Sequence, residues 1–184
     1  ITNRRVEVFL YPPAATQVVG LRLNPAHWLG LGEEGRCRRG GGATAARRDA
    51  RGAVRRGRAD VQDPGLNSHS KINCILACIQ ATKAGADEAL MLDPHGFVAT
   101  CNSTHFFIVK NDQVITSTGQ FCIDGVTRGA ILRICREQGI EQRECQFSLS
   151  DVYSADEAFV TGTFAGVVPV MSVDGRQIGS GKRG

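Results

Sequence analysis

Residues 88–100, with the sequence EALMLDPHGFVAT, decide the predicted fold. The stretch from Glu88 to Asp93 contains three consecutive large apolar residues and predicts a buried strand. Asp93 to Gly96 contains Pro and Gly and predicts a turn, after which Phe97 to Thr100 predicts a strand that pairs back on the first. Two strands joined by so short a turn run antiparallel, so this segment is typical of a mostly antiparallel sheet.

The chain that follows repeats this pattern of short strands and turns. Thr127 begins a predicted helix that ends at Gln138-Gly139, with Ile131, Leu132 and Ile134 expected to be buried. Further strands are predicted at 106–109, 114–116, 140–147, 157–161 and 167–173, a short capped helix at 148–153, and a hairpin turn at Asp174-Gly175. The predicted fold is α+β, mostly antiparallel sheet with two main helices.

The first main helix is predicted directly before the hairpin, after the stretch Asn67-Ser68-His69-Ser70-Lys71. Asn67, Ser68 and Ser70 are candidate N-caps, and Ala84-Gly85 is typical of a C-cap. Apolar residues recur along it at helical spacing, at Ile72, Ile75, Leu76 and Ile79.

The chain before the helix is less regular, with short strands predicted within residues 5–20 and at 18–23. Residues 30–60 consist mostly of Gly, Ala and Arg, and such a composition does not supply a core. Three interpretations stay open for this tract: an arginine-rich arm that binds phosphate polymers, a disordered linker, or coding sequence translated in a wrong frame. The predicted organisation is a remnant of an N-terminal region at 1–29, this irregular segment at 30–60, and one domain at 61–184.

Composition narrows the class of protein. The net charge of +4 comes from the arginine-rich tract, since nine Arg and two Asp between Gly35 and Asp60 give +7 and leave −3 for the rest. We therefore expect no nucleic-acid partner for the folded part. No run of about 18 apolar residues occurs, so we expect no membrane span. Seven Cys without a CxxC pair favour reduced thiols in a cytoplasmic protein and no metal site, and the missing first Met suggests a fragment or processed chain.

Three polar places are suited to chemistry. Gly125-Val126-Thr127 opens a predicted helix, whose free N–H groups suit a phosphate. Thr161-Gly162-Thr163 ends a predicted buried strand, and Lys71 lies at the start of the first helix. A capped helix start needs the same residue types as a phosphate site, so each place alone is weak evidence. Together they suggest a phosphorylated aldehyde cofactor held by a lysine.

Residues 61–184 resemble the C-terminal part of the class IV (fold type IV) pyridoxal-phosphate aminotransferases, most closely the branched-chain aminotransferases. The resemblance rests on motifs in one order and spacing. These are Ala84-Gly85-Ala86-Asp87-Glu88-Ala89-Leu90, Gly96-Phe97-Val98, Phe106-Phe107-Ile108-Val109, Gly125-Val126-Thr127-Arg128, Ala155-Asp156-Glu157-Ala158-Phe159-Val160-Thr161-Gly162-Thr163, Pro169-Val170 and Val173-Asp174-Gly175-Arg176-Gln177-Ile178-Gly179.

The resemblance implies pyridoxal 5'-phosphate as cofactor, with its phosphate bound by Val126, Thr127 and Thr163. It also implies a lysine near the start of the first helix that holds the cofactor covalently and moves a proton at the substrate. Counted without gaps, that position falls on Asn67, while Lys71 falls on a tyrosine position that also faces the cofactor, so both assignments stay open.

Other positions depart from the family pattern. Thr100 replaces the acid that partners the pyridine nitrogen, and we expect a weaker electron sink from this neutral hydroxyl. His105 replaces an Asn, and is expected to be a polar loop residue, as is His69. Gly166 replaces the Glu of the usual Gly-Thr-x-x-Glu.

The implied function is transamination between an amino acid, with branched-chain substrates as the first candidates, and a 2-oxo acid. The alternatives are a carbon–carbon lyase of the aminodeoxychorismate type and a non-catalytic remnant that binds the cofactor or a partner. Family members form homodimers and place the site between two domains. Residues 1–60 do not match the first of these domains, so we expect a homodimer only for an intact protein and little activity for the fragment.

Overall fold

The computed structural model describes residues 7–9, 18–21, 56–57, 62–164 and 166–181. Within these ranges the chain forms three helices and eleven strands. The helices are α1 (Ile72–Lys83), α2 (Val126–Glu137) and α3 (Leu149–Tyr153). The strands are β1 (Glu7–Phe9), β2 (Val18–Leu21), β3 (Glu88–Leu92), β4 (Val98–Cys101), β5 (His105–Lys110), β6 (Gln113–Thr116), β7 (Gln142–Glu144), β8 (Glu157–Gly162), β9 (Gly166–Val170), β10 (Ser172–Val173) and β11 (Arg176–Gln177).

The described strands form two sheets. The six-stranded sheet has the order β11-β10-β1-β2-β3-β4, and the five-stranded sheet has the order β7-β6-β5-β8-β9. Most neighbouring strands run antiparallel, whereas β1 with β10 and β6 with β7 run parallel. The predicted α+β class and its mostly antiparallel pairing are confirmed.

The two sheets stack face to face, with one helix on each outer face. Leu90 and Leu92 of β3 belong to the same buried cluster as Phe106 and Ile108 of β5, so this main core lies between the sheets. The intervening residues point the other way because side chains alternate along a strand. Met91 therefore packs under α1, and Phe107 under α2.

Helix α1 contacts the sheet through small residues. Ala77 and Ala81 are buried against Ala89 and Met91 of β3. The apolar stripe predicted for this helix lies on the opposite face and is exposed to solvent, with exposed fractions of 45–67% for Ile72, Ile75, Leu76 and Ile79. Alanines let the helix approach the sheet closely, which turns the larger side chains away from it.

The start of α1 also differs from the prediction. Asn67, Ser68 and Ser70 were the candidate N-caps, but Lys71 occupies that position and no side chain caps the helix. The Lys71 carbonyl accepts a hydrogen bond from the Ile75 N–H at 2.9 Å, so the helix begins one residue later, at Ile72.

Several predicted boundaries were wrong in detail. In α2, Leu132 is buried and Ile131 half-buried, but Ile134 is 46% exposed, because Arg128 and Cys135 take the remaining inward positions. The strand predicted at 140–147 is shortened to β7, and the one at 167–173 is divided into β9 and β10.

The short helix α3 has the predicted cap, as Ser148 and Asp151 form a capping box. Of the tract 30–60, all but Arg56 and Gly57 lie outside the described residues.

Candidate active site

A cavity of about 150 Å³ opens between the start of α1, the β4–β5 turn and the loop that precedes α2. Two of the predicted site residues line it, Lys71 at the N-cap of α1 and Thr100 on β4. Lys71 is exposed, whereas Thr100 is buried in the wall. The other lining residues include Arg56, Cys74, Thr104, His105 and Cys122.

A buried carboxylate shapes the β4–β5 turn that forms one wall. Glu88, only 1% exposed, accepts hydrogen bonds from the Ser103 N–H at 2.8 Å and the Ser103 hydroxyl at 2.6 Å through one oxygen. Its other oxygen accepts one from the Thr104 hydroxyl at 2.7 Å. Burial raises the pKa of Glu88 above its usual value, while these hydrogen bonds oppose that shift. Both oxygens are therefore used to hold the turn.

The same turn is joined to its neighbouring strand by Asn102. The Asn102 side-chain oxygen accepts from the Ala89 N–H at 2.6 Å, and the Asn102 backbone N–H donates to the Ala89 carbonyl at 3.0 Å. Across the turn, the Thr100 hydroxyl donates to the Thr104 carbonyl at 2.9 Å. That proton is engaged, so the Thr100 oxygen offers the cavity an acceptor.

His105 is the first residue of β5 and lines the cavity, which corrects its assignment to a loop. Its Nε2 donates to the Ile123 carbonyl at 2.8 Å, which leaves Nδ1 as the unprotonated nitrogen of the neutral ring. Burial lowers the pKa of His105, and the charges of Arg128 and Arg56 lower it further, against the opposing effects of the hydrogen bond and Asp124. The imidazole is therefore neutral at pH 7.

The loop between β6 and α2 is held by Arg128, which is 4% exposed. Its guanidinium donates to the Ser117 carbonyl at 2.7 Å and pairs with the Glu144 carboxylate. The Ser117 hydroxyl in turn donates to the Ala99 carbonyl at 2.6 Å. These contacts fix the segment that brings Cys122 and Ile123 to the cavity.

The residues predicted to bind phosphate do not line this cavity. Val126 is 85% exposed, and Thr163 is also exposed, while Thr127 is half-buried in the first turn of α2. Their neighbouring glycines nevertheless contact the cavity wall. A Cβ at Gly125 would lie 2.9 Å from Nδ1 of His105, and one at Gly162 would lie 3.2 Å from Cγ2 of Thr104.

The structure separates the two candidate lysine positions. Lys71 lines the cavity, whereas Asn67 is exposed and does not. His69 is exposed and does not line the cavity either. Within the described residues, no group of three His, Cys, Asp or Glu is placed to hold a metal ion.

Sequence reasoning missed two residues of the site. Glu88 carried a usable signal, an acid at the start of a strand that is otherwise apolar. Arg56 carried none, because it is one of nine arginines in a tract without any periodicity. In the structure its Nε donates to the Phe121 carbonyl at 2.8 Å, which places the side chain at the cavity.

No helix of the described part combines the length and apolarity needed to cross a membrane.

Comparison with known proteins identifies the family of the chain. The family model for amino-transferase class IV matches residues 43–173, more than half of the chain.

A branched-chain-amino-acid aminotransferase from Pseudomonas aeruginosa is 46% identical over 113 residues, which cover 61% of this chain and 37% of that protein. Among solved structures, the branched-chain amino acid aminotransferase from Escherichia coli is 36% identical with a TM-score of 0.60, and the match covers 62% of this chain and 39% of that one.

The branched-chain amino acid aminotransferase from Thermobaculum terrenum in its PLP-form is 30% identical with a TM-score of 0.67, and the match covers 70% of this chain and 43% of that one. The chain therefore spans less than half the length of these relatives. Family model, sequence relatives and fold agree, and the chain belongs to the aminotransferase class IV family.

Proposed function

We propose that this chain supplies the cofactor-binding part of a pyridoxal 5'-phosphate-dependent aminotransferase, which moves an amino group from an amino acid to a 2-oxo acid. Branched-chain amino acids are the first candidate substrates, as the relatives named above are branched-chain aminotransferases. The observation that carries the proposal is that Lys71 and Thr100, taken from distant parts of the sequence, line one cavity.

The residues around the cavity suit such a cofactor in three respects. Lys71 offers an amine at the opening. The hydroxyl of Thr161, which pairs with the cavity residue His105 between β8 and β5, is buried and has no hydrogen-bond partner among the described residues. Gly125 and Gly162 lie against His105 and Thr104, where a side chain would fill the space. We assign the phosphate to the N–H groups of Val126 and Thr127 at the start of α2, with the hydroxyls of Thr127 and Thr163.

When bound, pyridoxal phosphate supplies an electron sink for the charge that develops at the substrate α-carbon. The task of Lys71 is to move a proton at that carbon through its Nζ, which requires the amine to reach into the cavity. At the place of the family acid, Thr100 would offer the cofactor ring an oxygen that accepts a hydrogen bond but carries no charge. Neutral His105 adds no positive charge to the wall.

Reductive labelling tests the assignment of Lys71. The full chain is mixed with pyridoxal phosphate, treated with borohydride, digested and analysed by mass spectrometry. We expect a stable addition on the Lys71 peptide that disappears in Lys71→Ala. Lys83→Ala is the matched control, because Lys83 lies on the same helix in its last turn.

Asn67→Lys tests the other position. If Asn67 occupies the reactive place, the addition moves to residue 67 in this variant. A stable addition that is unchanged in Lys71→Ala would remove Lys71 from the mechanism, and no addition in any variant would favour a non-catalytic protein. In an active preparation, a new amino acid among the products identifies transamination, and pyruvate with an aromatic amine identifies the lyase.

We further propose a domain at residues 61–184, a cytoplasmic location and a homodimer, first of the intact protein and, through α1, of this chain. The six described cysteines are all free, which supports a reducing compartment. The exposed apolar face of α1 supports contact with a second copy of the chain, since monomers rarely expose such a continuous patch.

A further inference from the structure

Arg56 is held by three separate parts of the fold. Its backbone N–H donates to the Leu92 carbonyl at the end of β3 at 3.1 Å. Its Nε donates to the Phe121 carbonyl at 2.8 Å, and its Nη1 donates to the Cys74 sulfur in α1 at 3.0 Å. A guanidinium with two such contacts is restricted to one orientation, and it lines the cavity.

The charge of Arg56 is not balanced by any described carboxylate. The ion pairs found in the described part of the chain are Lys110–Asp151, Arg128–Asp124, Arg128–Glu144 and Arg133–Glu137. The partners of Arg56 are a carbonyl and a thiol, and sulfur is a weak acceptor. Its second terminal nitrogen has no partner among the described residues. Since the residue is half-buried, an unpaired charge there is costly.

The charges around the cavity also favour a negative ligand. Arg56 and Lys71 are positive, and Asp63 is the acid among the described lining residues. Asp63 already accepts a hydrogen bond from the Gly65 N–H at 2.8 Å within its own turn. With His105 neutral, the lining carries a net charge of +1.

We propose that Arg56 is an oxyanion-binding residue of this cavity, which takes a carboxylate or phosphate group through its uncommitted guanidinium nitrogen. A planar guanidinium matches the geometry of both groups. The inference rests on the proposed function only for the source of the group. A 2-oxo acid carboxylate at Arg56 is compatible with the cofactor phosphate at the start of α2, whereas a phosphate at Arg56 would replace that assignment.

Calorimetric titration of the full chain with two probes tests this and distinguishes the sources. The probes are 4-methyl-2-oxopentanoate and inorganic phosphate, each with the wild type, Arg56→Gln, Arg56→Lys and Arg133→Gln. Arg133 is the control, since it is exposed and pairs with Glu137 on α2. We expect Arg56→Gln to weaken one probe about 10-fold or more, because a hydrogen bond to a charged group is lost. Arg56→Lys keeps part of the affinity, and Arg133→Gln is unchanged.

The probe that is weakened identifies the source, the oxo acid for a carboxylate and inorganic phosphate for a phosphate. Unchanged affinity for both probes in Arg56→Gln overturns the proposal, and so does a wild type that binds neither. Thermal unfolding distinguishes anion binding from a merely structural role of Arg56. In a structural role, Arg56→Gln has a lower melting temperature than the wild type, but each probe raises that temperature by the same amount in both proteins. If Lys71 is labelled by pyridoxal phosphate but Arg56→Gln binds both probes as the wild type does, only the inference about Arg56 is refuted. If probe binding depends on Arg56 but no lysine is labelled, only the proposed function is refuted.

Discussion

The imidazole of His105 lies against the α-carbon of Gly125, where a methyl group would come 2.9 Å from Nδ1. Gly125 has an extended backbone with φ −76°, which any residue can adopt. A glycine is therefore needed at this position to leave room for the His105 ring and not for its backbone conformation. We expect Gly125→Ala to push the ring away from the Ile123 carbonyl and to lower the unfolding free energy by about 1–3 kcal/mol. Denaturant unfolding measures this.

Gly129→Ala is the matched control, because the same substitution one turn further along α2 meets no atom within 4 Å. It should stabilise the helix by about 0.5–1 kcal/mol, as Gly is a poor helix former. Equal effects of the two substitutions would contradict the close contact with His105.

The carboxylate of Glu88 is expected to hold the β4–β5 turn. Glu88→Ala leaves the buried donors of Ser103 and Thr104 without their acceptor, at a cost of at least about 1–3 kcal/mol. Cys101, which is buried beside the turn, should then react faster with a thiol reagent. Denaturant unfolding and mass-resolved thiol labelling provide the two measurements. Exposed Glu141→Ala should change the stability by less than about 0.5 kcal/mol. An unchanged labelling rate of Cys101 in Glu88→Ala would show that the turn holds without the acid.

The hairpin turn at Asp174 should make the stability depend on pH. Burial raises the pKa of Asp174 from 3.8 to about 7, against the opposing charge of Arg176. The folded state therefore prefers the neutral acid, whose contribution is complete below pH 3.8 and is lost as the pH rises to about 7. Relative to Asp174→Asn, the wild type should melt at a progressively lower temperature as the pH rises through this range.

Asp112→Asn is the appropriate comparison for that experiment, because Asp112 is also a turn residue with positive φ but is exposed. Its melting profile should follow the wild type at each pH. If Asp174→Asn retained the full pH dependence, another group would have to cause it.

The apolar face of α1 is the expected contact with a second copy of the chain. Leu76→Glu introduces a charge in the middle of that face and should convert a dimer into monomers, as measured by sedimentation velocity. Ile140→Glu alters a residue of similar exposure outside α1 and should leave the dimer intact. A monomeric wild type, or a Leu76→Glu variant that stays dimeric, would refute this use of the helix.

Local patterns predicted the hairpins because strand, turn and strand follow one another directly. Residues 88–100 and the turn at Asp174-Gly175 were both predicted correctly for this reason. The orientation of α1 could not be predicted in this way. Its large and small apolar residues form two opposite stripes with the same period. Which stripe is buried depends on how closely α1 packs against the sheet, and the sequence of the helix does not show this distance.

The residues of the site also fall into two groups, those that the sequence predicted and those that only the tertiary structure shows. Lys71 was predicted from its place at the start of a helix and Thr100 from the family resemblance, and both line the cavity. Arg56 is joined to its partners Leu92, Phe121 and Cys74 by tertiary contacts, which its arginine-rich surroundings do not indicate. The altered position of His105, from loop to cavity wall, follows from the register in which it faces Thr161.

Strand β1 lies between β10 and β2, so the six-stranded sheet is completed by segments from opposite ends of the described chain. During synthesis on the ribosome, one edge of β1 therefore stays unpaired until β10 emerges. Unpaired edges of this kind favour association between chains. Removal of either end would expose an interior edge of the six-stranded sheet, and we expect such shortened chains to aggregate.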